Sequence, residues 1–325
     1  MKIAEIGGEF ALIKRVTGKC YDPAVIKGIG DDCAVLEYNS DKYLLVTVDM
    51  MVENDHFNLK WHSPYQVGRK LMESNVSDIF AMGGAPRWAF VSISIKPDMD
   101  VEFMEELYRG INDSALKHGV TVPGGDTTHG EMLTLSLTLL GDVEKSLVRL
   151  RSHAVPGDLL CVTGTLGKSE AGLRLLRKGR RDGYLQGHLE PQCRLVNEAA
   201  SIAQYAHAMI DVSDGLGSET RHICEESGAG ARIDWRNIPL SYETREAAKI
   251  INCDPYEYAL YGGEDFELVF TIPSANIQKL RNEFQDFTVV GKILPKEEGL
   301  YLLKDGEKMD VKKGFDHFAG TEELL

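Results

Sequence analysis

The stretch GIGDDCAVL, Gly28 to Leu36, decides between a dinucleotide-binding fold and another α/β arrangement. It opens as Gly-x-Gly, but Cys33 stands where the third fingerprint glycine belongs. The apolar run that follows reads as strand rather than helix, so nicotinamide binding is unsupported. What the stretch does carry is a pair of adjacent carboxylates, Asp31 and Asp32, whose mutual repulsion favours a cation close by. The nearby sequence is read as lacking one.

Outward from this point the chain alternates strands and helices. YLLVTV (Tyr43 to Val48) is short and β-branched, giving a strand that ends at Asp49. Ser63-Pro64 opens a helix through Val67, Leu71, Val76 and Ile79 to about Met82. WAFVSISI (Trp88 to Ile95) alternates as a strand, and Asp100 caps a second helix that Gly119 closes. MLTLSLTLLG (Met132 to Gly141) alternates Leu with Ser or Thr, a sheet strand with one polar face open to water or to a second subunit. The second half reads as strands in LLCVTG, ARIDW, FELVFTI and FTVVGKI, with helices near 168–178, 194–206, 215–227 and 242–252. The fold class is α/β (α+β). At 325 residues two domains are expected, and the basic, Pro- and Gly-bearing segment from Arg149 to Asp158 sets the boundary, giving 1–147 and 148–325.

Composition narrows the function. A net charge of −14 argues against nucleic acid or an anionic membrane surface, and phosphate ligands would need bridging cations. Six cysteines without a C-x-x-C pair suggest reduced thiols. The amino terminus lacks a signal-peptide core, and no apolar run approaches the roughly 20 residues of a membrane span. A cytoplasmic protein is expected.

The aspartates form a pattern. Asp32, Asp49, Asp78, Asp126, Asp211 and Asp214, with Asp31, mostly sit where an apolar segment stops or meets glycine. Each alone reads more readily as a turn or cap residue than as a ligand, whereas together they suggest one cleft. Oxygen-only ligands select Mg²⁺, Ca²⁺ or Mn²⁺, the EF-hand pattern is absent, and several ions holding a polyphosphate follow. PGGD (Pro123 to Asp126) and YGGED (Tyr261 to Asp265) are either tight turns or places where backbone N–H groups approach a phosphate. Gly167-Lys168-Ser169 is not a P-loop, because Val162 replaces its first glycine. Arg151 could clamp a phosphate or form a surface ion pair, His56 could donate to a phosphate or be solvated, and Phe315 could stack on an aromatic substrate or anchor a core.

GIGDDCAVL, TVDMMVENDHF, NVSDIFAMGGAP, GGDTTHG, RSHAVPGDLLCVTGTLGKSEAGL, DVSDGLGSE, YGGEDFELVFT and GFDHF occur in the order found in bacterial thiamine-monophosphate kinases, which the chain resembles over nearly its whole length. The resemblance implies a two-domain fold shared with aminoimidazole ribonucleotide synthetase, whose N-terminal sheets pair in a homodimer as a β-barrel, beside a C-terminal α/β domain. It implies ATP-dependent, Mg²⁺-requiring phosphorylation of thiamine monophosphate to thiamine diphosphate. By motif, Asp32, Thr47, Asp49, Asp78, Asp126, Asp211 and Asp214 resemble the metal set. Gly125, Asp126, Arg151, Ser213 and Tyr108 resemble ATP contacts; His56, Glu264 and Phe315 resemble thiamine-phosphate contacts, and Asp31 orients its loop. Val48 replaces the hydroxyl residue common before the aspartate of its segment, leaving only its backbone carbonyl as a ligand, and ENDHF replaces the frequent EGVHF.

The implied chemistry is direct in-line transfer between two anions, with no protein nucleophile. The rivals are another ATP-using synthetase of the same superfamily and a non-catalytic metal- or nucleotide-binding regulator. A chain ending GTEELL lacks the terminal cysteine of hydrogenase-maturation relatives, and Cys20 lacks the context of a selenophosphate-type reactive cysteine.

Overall fold

The computed structural model describes Ile3 and residues 9–18, 21–181 and 183–312. Phe315 lies outside them. The first half runs α1 (Glu9–Val16), β1 (Val25–Lys27), β2 (Ala34–Glu37), β3 (Lys42–Val52), α2 (Pro64–Ala81), β4 (Ala85–Ile95), α3 (Val101–His118), β5 (Thr121–His129) and β6 (Thr134–Glu144). Its strands form a six-stranded sheet in the order β1-β2-β3-β6-β4-β5, with only β4 and β5 parallel. After a 3₁₀ turn at Arg151–His153 come β7 (Leu159–Thr163), α4 (Lys168–Arg177), α5 (Gln186–Leu189), α6 (Val196–Tyr205), β8 (Ala208–Asp211), α7 (Leu216–Ser227) and β9 (Gly230–Asp234). Then follow α8 (Tyr242–Ile251), α9 (Pro255–Tyr261), β10 (Leu268–Ile272), α10 (Ile277–Glu283), β11 (Phe287–Leu294), β12 (Leu300–Lys304) and β13 (Glu307–Asp310). The second sheet is ordered β13-β12-β9-β11-β7-β10-β8 and is also mixed, through parallel β9 and β12.

Helix α2 organises the molecule. Ser63 Oγ accepts from the Gln66 N–H at 3.3 Å while Gln66 Oε1 accepts from the Ser63 N–H at 2.9 Å, a capping box, and Pro64 occupies the first helical position. Val67, Leu71, Val76 and Ile79 are buried along the helix. One apolar core packs α2 and α3 on the first sheet through Leu135, Leu137 and Leu139, and continues into Cys161, Met209 and Phe270 of the second sheet. A separate core, including Leu160, Val162, Ile210 and Ile233, covers that sheet's opposite face.

Three expectations are corrected. β3 does not end at Asp49: it pairs with β6 without a break from Lys42↔Glu144 to Val52↔Thr134, so the ladder carries Asp49 inside the strand. PGGD is not a turn but part of β5, and a Cβ on Gly125 would lie 1.8 Å from the Val91 carbonyl oxygen, so glycine is needed for the close approach of β4. Asp100 stands at the N-cap of α3 but makes no side-chain cap bond; Gly119, at φ 71°, does close that helix.

Candidate active site

Asp31 and Asp32 occupy the turn between β1 and β2, and their cations come from two directions. Lys27, four residues upstream, reaches Asp31 at 3.3 Å, contrary to the expectation that the nearby sequence held none. Arg151, from the connection between the halves, grips Asp32 through Nη2 at 2.5 Å and Nε at 3.4 Å, and its backbone N–H donates to Asp31 Oδ1 at 2.9 Å. Burial and the adjacent Asp32 push the Asp31 carboxyl up to about 6.

Strand alternation turns Thr47 and Asp49 to one face of β3, toward α2. Ser74 and Asp78 lie one turn apart on α2; Ser74 hydrogen-bonds Asp49, and Thr47 Oγ1 donates to Asp78 Oδ2 at 2.5 Å. Next to Asp78, Ser77 donates across to Asp211 Oδ2 at 2.6 Å, at the end of β8. Carboxylate oxygens of Asp32, Asp78 and Asp211 all lie within 4.8 Å of one another. Burial, and after it the neighbouring carboxylates, hold Asp78 and Asp211 well above the ordinary range, and burial also raises Asp49.

Asp214 joins this group through Glu219, a residue the sequence reading missed. Glu219 Oε1 accepts from the Asp214 N–H at 2.8 Å and from Ser213 Oγ at 3.4 Å. Its carboxyl is raised by burial, then by Asp214 and Asp211. The available signal was its position in the first turn of α7, directly after the DVSD segment. Val48 points its side chain to the opposite, outer face of β3, where it is 59% exposed.

A second group lies at the seam between the halves. The Glu264 N–H donates to the Ser213 carbonyl at 2.9 Å, joining the DVSD and YGGED loops; a Cβ on Gly263 would come within 2.0 Å of that same oxygen. Glu264, at φ 63°, places Oε1 2.6 Å from Lys70 Nζ, and Lys70 also donates to the His56 carbonyl at 2.8 Å. The Val52 N–H donates to His56 Nδ1 at 3.2 Å, and the same nitrogen stands 3.6 Å from the Asp55 carboxylate, so the ring is held at this edge. Tyr108, Gly125 and Asp126 instead line a separate cavity of about 440 Å³ between α3 and β5, with Asn112 one turn beyond Tyr108. Asp126 is exposed there, apart from the buried carboxylates.

The AIR synthase related protein N-terminal domain matches residues 30–143, and the corresponding C-terminal domain matches 155–302. The thiamine-monophosphate kinase of Aquifex aeolicus (strain VF5) is 37% identical over 324 residues, covering 98% of this chain and 100% of that protein. The chain belongs to the thiamine-monophosphate kinase family. A further kinase of the family, from Buchnera aphidicola subsp. Acyrthosiphon pisum (strain APS), is 38% identical across 90% of this chain and 93% of its own length. Among solved structures, AaThiL complexed with AMPPCP and TMP superposes with a TM-score of 0.87 at 35% identity, covering 98% of this chain and 99% of that one. The two-domain, mixed α/β architecture with two mixed sheets is the AIR-synthase-like fold.

Proposed function

We propose that this chain transfers the γ-phosphate of ATP to thiamine monophosphate, giving thiamine diphosphate. The carrying observation is the convergence of Asp32, Asp49, Asp78 and Asp211, from both halves, in one buried cluster of a thiamine-monophosphate kinase relative. The donor set fits magnesium: the ligands offer oxygen only, and buried like charges need a hard cation to ionise together. Asp32, Thr47, Asp49, Asp78, Asp211 and Asp214 would hold it, with the Val48 carbonyl as a further ligand, while Asp126, in the cavity beside β5, would hold a separate ion. When bound, several Mg²⁺ ions supply the positive charge that lets two anionic substrates approach.

The chain's own groups do the rest. Tyr108 and Gly125 receive the nucleoside end in the cavity beside β5, while Arg151 and Ser213 take the phosphates. His56 donates to the acceptor phosphate, and Glu264 and Phe315 hold the thiamine. An acceptor phosphate oxygen attacks Pγ in line as the bond from Pγ to the β,γ-bridging oxygen breaks, and ADP leaves with that electron pair. The acceptor oxygen is already ionised near neutral pH, so neither a protein nucleophile nor a strong base is required.

Residues 1–147 and 148–325 act as the two domains, in keeping with one sheet in each and with the two matched family domains. The first sheet pairs with a second copy to close a β-barrel; its outer face exposes Val48, Met50, Trp88 and Phe90 beside the half-covered Ser136 and Thr138. The protein works in the cytoplasm, consistent with unpaired cysteines among the described residues. The deciding assay measures ADP and thiamine diphosphate: formation of both that requires thiamine monophosphate and Mg²⁺ is expected. Binding of both substrates without product would instead establish a regulator, and a phosphorylated enzyme on the reaction path would rule out direct transfer.

A further inference from the structure

Lys70 is among the largest fully buried side chains of the described residues, at 1% exposure, yet it ends in an ammonium. A buried lysine is costly unless its donors are paired. Here they are spent on two segments that are remote in sequence. One bond, 2.8 Å, goes to the carbonyl of His56 in the loop after β3; the other, 2.6 Å, goes to Oε1 of Glu264 in the loop before β10. Both segments come from opposite sides of the seam between the two sheets, and both carry a residue assigned above to the acceptor.

The surroundings leave this ammonium in charge of the contact. His62 and His188 stack edge to face with ring centroids 5.2 Å apart. Burial, then the charge of Lys70, holds His62 down at about 4 and His188 well below its ordinary range. Both imidazoles are therefore neutral near pH 7 and do not share the neutralisation of Glu264. Ser169 Oγ donates to Glu264 Oε2 at 3.3 Å, and His188 Nδ1 stands 3.5 Å from the same oxygen, so the second carboxylate oxygen is steered as well. Glu264 itself adopts a left-handed backbone, a conformation that a non-glycine residue keeps only when its surroundings hold it there.

We propose that Lys70 is a positioning residue for the phosphate acceptor, pinning the His56 loop and the Glu264 carboxylate at a fixed separation across the seam. The assignment rests on the acceptor site proposed above. Lys70 does not touch the acceptor; it acts by fixing the two groups that do. Helix α2 suits this role, because it is anchored in the apolar core and touches both sheets.

The test uses the full chain carrying Lys70→Met, which keeps the buried volume and removes the charge, and Lys70→Arg, which keeps the charge. Steady-state kinetics give kcat and the two KM values separately, and amide hydrogen exchange reports on residues 52–57 and 262–266. For Lys70→Met we expect KM for thiamine monophosphate to rise about tenfold or more. KM for ATP should stay within about twofold, and exchange should be faster in both segments. Lys70→Arg should recover much of both effects. Unchanged exchange in either segment overturns the proposal, as does an unaltered acceptor KM in an enzyme whose segments have loosened, or an equal rise in both KM values. Should Lys70→Met fail to fold, Lys70→Gln carries the same measurements. If the unmodified chain shows no transfer to thiamine monophosphate, the kinase reading fails, while the exchange data still decide whether Lys70 pins the two segments.

Discussion

Asp78 stands among like charges, with Asp49, Asp211 and Asp32 all raising its pKa after burial itself. A residue kept in that position lowers the stability of the metal-free protein, because like charges are confined away from water. Asp78→Asn keeps the acceptor for Thr47 Oγ1 and removes one charge. The variant is expected to lose activity by about 100-fold or more while its metal-free melting temperature rises by about 2 °C. Calorimetry without Mg²⁺, alongside the coupled assay, checks both signs, and unchanged activity would remove Asp78 from the metal set. The sequence exposed this aspartate through the segment NVSDIFAMGGAP, in which it closes the Asn-Val-Ser-Asp motif. It could not show Glu219 or Lys70 in the same light, since neither ends such a motif and each gains its meaning from its partners in the fold, Ser213 and Asp214 for Glu219, His56 and Glu264 for Lys70.

At the scale of elements, Glu73 ties three segments together. On α2, its carboxylate accepts from Ser114 Oγ at 2.8 Å and Lys117 Nζ at 3.1 Å on α3, and from the Cys193 N–H at 3.0 Å in the segment between α5 and α6. His118 Nε2 is 3.2 Å away. Burial alone would raise this carboxyl, but His118, Lys117 and Ser114 outweigh it and hold it at about 2, below its ordinary 4.5. The unfolded chain therefore binds the proton first on acidification. The contribution, on the order of 3 kcal/mol, is complete above pH 4.5 and is lost as pH falls from there toward 2. Glu73→Gln should flatten the stability slope in that window, as read from urea melts at a series of pH values; an unaltered slope would contradict the assignment. Elements with strong local patterns were legible in the sequence: α2 by its cap and apolar spacing, β6 by its alternation. β5 was not, because its Pro-Gly-Gly reads locally as a turn and becomes a strand only through pairing with β4. The β12–β13 hairpin and α9 went unread for the same reason, being short segments whose identity depends on the sheet and helices they join.

For the whole molecule, the proposed dimer rests on the outer face of the first sheet. Val48 and Phe90 flank Thr138 in one row across β3, β6 and β4, so apolar side chains alternate with polar ones on a surface that the chain itself leaves open. Phe90→Glu is expected to convert the proposed dimer to monomer in sedimentation velocity, because two buried carboxylates would face each other across a symmetric contact. A unmodified chain that sediments as a monomer would instead leave this face without its proposed partner. Helix α2 has a different reach. Lys70, Ser74, Ser77 and Asp78 follow one another at helical spacing, and between them they touch the His56 and Glu264 loops, β3 and the end of β8. A single residue inserted between Pro64 and Lys70 would turn all four by about 100° at once. The helix thus behaves like a camshaft: its lobes are cut on one rod, and none can be retimed without mistiming the others.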